Sequence, residues 1–245
     1  MSLRGRRPTQ SPTSVMETAS PTARSDMTQL IFKEDDDHVA LARFLAKQLS
    51  QPAGLIGQLV LPRLWNSRNV ALNDFAFEYL RLKPQDRVLE VGFGGGYLLE
   101  RIAATTDGCT VGVDAAPAMV EFCRKRYRRL IASGKLNLKC ASAESLPFPD
   151  GYFTKTCSVN SIFYWPDALQ VCAELWRVLA DRGLLVLCFT DKQSLASRNF
   201  ARQDGVRLYE AEEVQQMLAA TGFQHIQMHE AADKHRRFLC VTGGK

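Results

Sequence analysis

The chain has 245 residues, 46% of them hydrophobic, and its formal net charge is +5. This length fits one α/β domain with an N-terminal extension, and the apolar fraction suffices for one sizeable core. The modest positive charge shows no basic face interleaved with aromatic side chains, which argues against a nucleic-acid partner. No apolar run approaches the roughly 20 residues that a membrane-spanning helix needs.

Residues 1–26 are rich in Ser, Thr, Pro and Arg and nearly free of bulky apolar side chains. They cannot bury enough surface to offset the entropy of ordering, so a disordered tail is predicted. Seven cysteines, never at C-x-x-C spacing, favour reduced buried thiols and a cytoplasmic protein over disulfides or a zinc site. Organelle targeting by the arginine-rich tail is the alternative.

Residues 27–83 form a predicted helical extension that precedes the main domain. Apolar residues at helical spacing predict helices over Asp36–Leu49, Leu55–Leu64 and Asn69–Leu80. The stretch from Trp65 to Asn73 concentrates amide side chains beside a tryptophan. It is interpreted either as a lid that faces a substrate or as ordinary helix caps and surface.

From residue 84 onward, short β-rich runs alternate with helical stretches, which predicts βαβ units and a mostly parallel, doubly wound α/β sheet. The last two strands have no helix between them and are predicted to form an antiparallel edge hairpin. The predicted strands are Val88–Val91, Thr110–Val113, Leu136–Cys140, Phe153–Val159, Leu184–Phe189, Phe223–Met228 and Phe238–Val241. The predicted helices are Tyr97–Ala104, Pro117–Ala132, Asp167–Leu179 and Glu210–Ala220.

A glycine-rich turn, Gly92 to Gly96, follows the first strand. Glycines at 92, 94 and 96 let the backbone turn sharply and approach a ligand. The third glycine of a dinucleotide G-x-G-x-x-G motif would fall at Tyr97, so the turn suits a nucleoside without a pyrophosphate better than NAD. Glu90, just before the turn, is costly to bury without a cationic partner.

Asp114 ends the second strand, about 20 residues beyond the glycine turn. A carboxylate there is placed to accept hydrogen bonds from ribose hydroxyls. The alternative is an N-terminal cap for the helix that begins near Pro117. The partnership with the glycine turn favours the ribose interpretation.

These residues resemble the class I S-adenosylmethionine (SAM)-dependent methyltransferases of the ubiquinone/menaquinone-biosynthesis type, also called methyltransferase type 11. The resemblance covers roughly residues 70–190, and its most specific part is the Leu146-Pro-Phe-Pro-Asp150 segment. It implies a Rossmann-like, seven-stranded sheet of order 3-2-1-4-5-7-6 with an N-terminal helical lid. It also implies SAM as methyl donor, with S-adenosylhomocysteine as product, and a small-molecule methyl acceptor.

The resemblance also implies the residues that hold SAM. Glu90 and the glycines at 92, 94 and 96 would surround the methionine and ribose, Asp114 would bind the ribose hydroxyls, and Ala115 and Met119 would border the adenine. Where the family often has Gly-Asp-Ala, this chain has Ala141-Ser142-Ala143, so the adenine contact falls to Ser142, Ala143 or Glu144. Thr154 is a second departure, because the family often has Asp there.

The turn after the fourth strand contains Asn160, Phe163, Tyr164 and Trp165. Asn160 is predicted to contact the methionyl group or the acceptor, and Asn160 and Trp165 are the positioning candidates. The aromatics either line an apolar acceptor site or belong to the core. Methyl transfer is an in-line displacement, so positioning can carry much of the catalysis. No acid–base pair is evident, and the four histidines are scattered.

Two other functions stay open on the sequence. A non-catalytic SAM-binding module is kept open by Ser142 and Thr154. An NAD-dependent oxidoreductase would share only the sheet. The acceptor's identity and the oligomeric state do not follow from the sequence.

Overall fold

The computed structural model describes residues 69–196 and 205–245. The predicted tail over residues 1–26, the predicted helices Asp36–Leu49 and Leu55–Leu64, and residues 65–68 of the amide-rich stretch lie outside these ranges. All the described residues belong to the same compact unit.

Seven strands form one sheet of order β3-β2-β1-β4-β5-β7-β6, as predicted. β1 to β5 run parallel, whereas β7 pairs antiparallel with both β5 and β6, which confirms the predicted edge hairpin. The strands are β1 (Val88–Val91), β2 (Thr110–Asp114), β3 (Leu136–Cys140), β4 (Phe153–Val159), β5 (Leu179–Thr190), β6 (Gln224–Ala232) and β7 (Arg237–Gly244).

The described helices are α1 (Val70–Leu80), α2 (Tyr97–Thr105), α3 (Pro117–Arg126), α4 (Arg128–Ala132), α5 (Ala168–Val178), α6 (Lys192–Ala196) and α7 (Ala211–Ala220). The prediction of a single helix from Pro117 to Ala132 was wrong, because Tyr127 interrupts it with φ −104° and ψ 24°. The Tyr127 hydroxyl donates to the Gly96 carbonyl at 2.9 Å. This anchor on the glycine turn holds Tyr127 out of the helical conformation.

β5 is twelve residues long and begins five residues before its predicted start at Leu184. Asp181-Arg182-Gly183, which precede that predicted start, lie inside the strand as a bulge. Phe153 pairs with Leu179 and Lys155 with Leu184, so β5 accommodates three extra residues opposite β4. Arg182 absorbs the irregularity with φ 61°. Bulges of this kind are compatible with continued pairing.

Helices cover both faces of the sheet, because successive side chains along each strand point to opposite faces. On one face, α1 and α2 bury Leu72, Leu80 and Ile102 against the central strands. On the same face, α3 packs beside β3 in a smaller cluster that contains Phe93. The opposite face holds the largest cluster, built from α5, α7 and the strands.

All seven cysteines carry free thiols. Five are buried, Cys109 is partly exposed, and Cys140 is exposed. Cys188 on β5 stands directly opposite Cys240 on β7. Burial raises the pKa of the Cys157 thiol well above its ordinary value.

The carboxyl ends of the five parallel strands meet at one edge of the sheet, where open α/β sheets bind their ligands. β1 ends at Val91, β2 at Asp114, and β4 leads into Asn160. Within residues 69–196 and 205–245, no group of His, Cys, Asp or Glu side chains is arranged to hold a metal ion. In the same ranges, no helix has the length and apolar character needed to cross a membrane.

Candidate active site

The glycine turn connects β1 to α2 in the left-handed backbone region. Gly92, Gly94 and Gly96 have φ of 73°, 51° and 73°, values that side chains with a Cβ rarely adopt. The Gly92 amide donates to the Val113 carbonyl at 2.7 Å, which ties the turn to β2. Gly96 then serves as the N-cap of α2. The predicted sharp turn is therefore present.

The turn also needs glycine because neighbouring protein atoms leave no room for a Cβ. A Cβ on Gly92 would overlap the Ser161 side chain in the turn after β4. A Cβ on Gly96 would lie 2.7 Å from the Tyr127 ring and 2.9 Å from Cys123 Sγ. At these two positions glycine allows protein elements to approach one another. The sequence pattern instead predicted glycines that allow a ligand to approach.

Glu90 lies at the end of β1 and is 2% exposed. Burial, and next the nearby Asp114 carboxylate, raises the pKa of Glu90 well above its usual value, while the backbone amide of Leu99 lowers it. Leu99 belongs to the first turn of α2, whose amides lack helical partners. The Glu90 Oε2 atom has no hydrogen-bond partner among the described residues. A buried carboxylate oxygen in this state calls for a cationic partner.

Asp114, at the end of β2, accepts backbone hydrogen bonds with both carboxylate oxygens. Oδ2 accepts from the Gly94 amide and Oδ1 from the Ala116 amide, each at 2.9 Å. The Ala116 contact supports the capping interpretation, and the Gly94 contact joins the carboxylate to the glycine turn. Burial raises the pKa of Asp114, and the two amides lower it. A carboxylate offers about four acceptor positions, so each oxygen retains one.

The other residues predicted near the adenine fall into two groups. Ala115 is exposed at the edge of the sheet, whereas Met119 is 1% exposed and packs in the cluster beneath α3. After β3, the Ser142 hydroxyl accepts from the Glu144 amide at 3.2 Å. Glu144 Oε1 in turn accepts from the amide of Asp167, the residue that caps α5. Ala143 lies between them, partly buried.

Asn160 follows β4 with a left-handed φ of 55°. Its Oδ1 accepts from the amide and hydroxyl of Thr190, at 2.8 and 3.2 Å, and its Nδ2 donates to Asn69 Oδ1 at 3.1 Å. The side chain is thus largely committed to other protein groups. One Nδ2 hydrogen remains for a ligand, because an amide carries two.

Arg236, in the turn between β6 and β7, joins the same network and was not singled out from the sequence. Its guanidinium donates to Asn69 Oδ1 at 2.8 Å and to Thr190 Oγ1 at 3.0 Å, and it lies 3.7 Å from Asp233. Arg236 and Asn69 are 167 positions apart. The network therefore connects the start of α1 to the turn that follows β4.

The aromatic residues after β4 are mostly buried. Phe163 is 2% exposed and Trp165 7% exposed, and both belong to the largest core cluster. Tyr164 is partly exposed and packs against that cluster. This placement favours the core interpretation for Phe163 and Trp165, and it places the positioning candidate Trp165 behind the Asn160 turn.

The Leu146–Asp150 segment is held by an ion pair on α5. Arg177 donates to the carbonyls of Leu146 and Phe148, at 2.9 and 2.8 Å, and to Asp150 at 2.7 Å. Glu174 binds Arg177 at 2.7 Å and accepts from the Leu146 amide at 2.7 Å. The hydrogen bond from Arg177 chiefly lowers the pKa of Glu174. Glu-x-x-Arg spacing on a predicted helix could have indicated this pair from the sequence.

Thr154 is the second residue of β4, six positions before Asn160. Its hydroxyl donates to Asp86 at 2.7 Å and accepts from the Arg87 amide at 3.1 Å. Since a strand rises about 3.3 Å per residue, these contacts lie about 20 Å from the carboxyl edge. The Thr154 departure therefore concerns the opposite end of the sheet.

The residues at the carboxyl edge fit SAM. The unpartnered Oε2 of Glu90 matches a cationic group such as the methionyl ammonium. Asp114, on the neighbouring strand, keeps acceptor capacity for two ribose hydroxyls. Tyr97 fills the third-glycine position of a dinucleotide motif, and its hydroxyl donates to Asp74 of α1 at 3.0 Å. Among the residues at the carboxyl edge, Glu90 and Asp114 together match SAM best.

Comparisons with known proteins agree with this fit. Residues 89–187 match a family described as a methyltransferase domain. An uncharacterised methyltransferase, YdaC of Bacillus subtilis, is 26% identical over 73% of this chain and 94% of its own length. The ubiquinone/menaquinone biosynthesis C-methyltransferase UbiE of Citrifermentans bemidjiense is 32% identical over 46% of this chain, which spans 49% of that relative.

Solved structures share the fold. A SAM-dependent methyltransferase from Aquifex aeolicus superposes with a TM-score of 0.63 at 17% identity, over 74% of this chain and 95% of that one. At this identity the likeness concerns the fold alone.

Proposed function

Because this chain belongs to the class I SAM-dependent methyltransferases, we propose that it transfers a methyl group to a small-molecule acceptor by in-line displacement. The observation that carries the proposal is the pair of carboxylates at adjacent strand ends. Glu90 has an unpartnered buried oxygen, and Asp114 is fixed by two backbone amides. Glu90 can bind a cation and Asp114 can accept from hydroxyls, and these two properties match the two polar ends of SAM.

When bound, SAM supplies an electrophilic methyl group on a positively charged sulfur. Glu90 would hold the methionyl end, and Asp114 the ribose. The Gly94 and Ala116 amides fix the Asp114 carboxylate before the ligand arrives, at 2.9 Å each. Such preorganisation lowers the entropy that binding costs. Ala115, Ser142, Ala143 and Glu144 are proposed to border the adenine, and buried Met119 to support that side from behind.

On the acceptor side, Asn160 is proposed as the positioning residue. Thr190 and Asn69 fix its amide, so the remaining Nδ2 hydrogen is presented in one orientation. Holding the acceptor in line with the methyl group, away from water, is the main requirement of a displacement at carbon. Trp165 and Phe163 are proposed to make the turn rigid through core packing.

The relatives indicate the acceptor class. UbiE is named a C-methyltransferase of ubiquinone and menaquinone biosynthesis, and a small organic acceptor is proposed for this chain as well. Nucleic acid is not expected as a substrate. The free thiols support a cytoplasmic location, which we also propose. The predicted helical extension over residues 27–83 is proposed to act as the lid.

Isothermal titration with SAM and S-adenosylhomocysteine tests the proposal. Both should bind the wild-type chain, and Asp114→Ala should weaken binding about 10- to 100-fold, because charge-assisted hydrogen bonds contribute about 1.5–3 kcal/mol. Asp107→Ala is the matched control. Asp107 is exposed in the loop before β2, and its carboxylate pairs with Lys135 at 3.8 Å. If neither ligand binds, or if both variants bind alike, the proposed site is wrong.

Two further measurements separate the alternatives. Transfer of label from SAM to any acceptor in a panel of small quinols, phenols and amines would exclude a non-catalytic binding module. Unchanged nicotinamide fluorescence on mixing with NADH would exclude the oxidoreductase, which Tyr97 already disfavours.

A further inference from the structure

A cavity lies at the end of the sheet opposite the carboxyl edge. Its volume is about 420 Å³, and its lining includes Arg81, Arg182, His225 and His229. Arg81 follows α1, Arg182 lies in the bulge of β5, and the two histidines belong to β6. Three separate elements therefore contribute cationic or imidazole groups to one cavity that the proposed methyl transfer does not use.

The charged side chains that line the cavity are all basic. Its lining contains no Asp or Glu. Among the described residues, neither arginine and neither histidine has a carboxylate within ion-pair distance. The proximity of Arg81 contributes to a lowered pKa at His229, after burial of the imidazole. Lys245 also lines the cavity, but its ammonium is directed to the Trp176 carbonyl at 2.9 Å.

The backbone at the cavity is unusual in the same three elements. Arg81, Arg182 and His225 have φ of 45°, 61° and 50°, and Asn160 is the one other non-glycine residue with positive φ in the described chain. Left-handed backbone is unfavourable for such side chains, and glycine would adopt it freely. A register shift between Gln224 and Gln227 marks a bulge at His225. Bulges commonly re-aim a side chain.

Local rules account for only part of this arrangement. A cation at the C-terminus of α1 is favoured by the helix dipole, which explains a basic residue at position 81. Neither Arg182 nor His225 lies at a helix end. Strained backbone tends to persist where the side chain has a function. Convergence of three such residues on one cavity thus indicates a ligand.

We propose that this cavity binds a small phosphate-bearing anion through the guanidinium groups of Arg81 and Arg182, assisted by His225. Guanidinium is the side-chain group that best matches the oxygens of a phosphate, because it donates two parallel hydrogen bonds. The volume falls in the range of small-molecule sites, whereas a nucleic-acid backbone would require a continuous basic stripe. The site is independent of the methyl-transfer proposal.

Pyrophosphate and inorganic phosphate are the probes, titrated calorimetrically into the full chain at about 0.15 M salt, so that long-range charge effects are screened. The wild-type chain should bind pyrophosphate more tightly than phosphate. Arg81→Gly and Arg182→Gly should each raise the dissociation constant at least tenfold. Glycine is chosen because it suits the left-handed backbone, so these variants should melt no lower than the wild type.

Arg128→Ala is the matched control, since Arg128 is an exposed arginine on α4, away from the cavity. It removes the same charge and should leave pyrophosphate binding unchanged. All three variants should bind S-adenosylhomocysteine as the wild type does. If Arg182→Gly melts lower, Arg182→Asn provides the same comparison, because Asn also tolerates this backbone. Absence of wild-type binding, or equal losses in Arg128→Ala, would overturn the proposal.

Discussion

Glu90 shows how one side chain can favour binding at the expense of stability. Its carboxyl group is 2% exposed, and one of its oxygens is unpartnered. Because its pKa is raised on folding, the folded chain holds this proton more tightly than the unfolded chain does. The contribution of Glu90 to the free energy of unfolding is therefore fully present below the unfolded pKa of about 4.3. It is lost as the pH rises through the folded pKa.

Glu90→Gln removes this pH-dependent cost. Without ligand, the variant should be more stable than the wild type by about 1–3 kcal/mol near pH 8, and by less near pH 5. It should bind SAM more weakly, because the amide cannot neutralise a cation. Urea denaturation at the two pH values, with calorimetric titration of SAM, measures both effects. A variant that is destabilised equally at both pH values would show that the ionised carboxylate stabilises the empty site.

Asn160 illustrates a residue whose role depends on its partners. Sequence position identified it, because the turns after parallel strands meet at one edge of the sheet. Its geometry could not be predicted, since Asn69 and Thr190 lie 91 and 30 positions away. Asparagine tolerates a left-handed φ, so this residue type is compatible with the backbone conformation at position 160.

At the scale of elements, the glycine turn and the turn after β4 are packed into contact. Gly92→Ala should cost about 2–4 kcal/mol, because it combines left-handed backbone strain with overlap against Ser161. Urea denaturation measures this loss. Adding Ser161→Gly should recover the steric part and leave the backbone part. If the double variant is no more stable than Gly92→Ala, overlap with Ser161 is not the cause.

The ion pair on α5 acts as a clamp on the Leu146–Asp150 segment. Arg177→Lys should cost about 1–3 kcal/mol, because one ammonium cannot reproduce the hydrogen bonds to two carbonyls and two carboxylates. Hydrogen exchange should accelerate at the Leu146 and Gly151 amides, and urea denaturation gives the free energy. Arg128→Lys, on exposed α4, is the control and should change neither. Unaltered exchange in Arg177→Lys would show that the segment is held by other contacts.

Helices and strands could be predicted from the sequence where the hydrophobic periodicity and the signals for strand ends indicated the same element. The sheet, the edge hairpin and the Glu90, Gly92 and Asp114 positions were all predictable from local pattern. Two errors share one physical cause: Tyr127 leaves its helix to reach Gly96, and β5 begins before Leu184, where the Arg182 amide donates to the Lys245 carbonyl. Tertiary contacts decided both, and local propensity does not contain them.

At the scale of the whole molecule, the start of α1 is connected to the site through Asn69. This residue accepts from Asn160 and Arg236, which come from the β4 turn and the edge hairpin. α1 is also tied to α2, where Asp74 binds Arg101 and the Tyr97 hydroxyl. The C-terminal part of the predicted extension is thus joined to the turn after β4, to the edge hairpin and to α2.

This connection predicts energetic coupling between Asn69 and Asn160. In a double-mutant cycle of Asn69→Ala and Asn160→Ala, the S-adenosylhomocysteine affinities should be non-additive by about 0.5–3 kcal/mol. The control cycle pairs Asn160→Ala with Asp107→Ala at the far edge and should be additive within about 0.5 kcal/mol. Additivity in the Asn69 cycle would mean that Thr190 alone orients Asn160.

The free thiols provide a built-in reporter of how the fold comes apart. The buried cysteines are distributed over all three hydrophobic clusters: Cys172 in the largest, Cys123 beneath α3, and Cys157, Cys188 and Cys240 beneath α1. Exposed Cys140 should be alkylated at once in the native chain and provides an internal calibration. A short pulse of alkylating reagent, read by mass spectrometry along a denaturant series, would therefore reveal which layer of the molecule opens first.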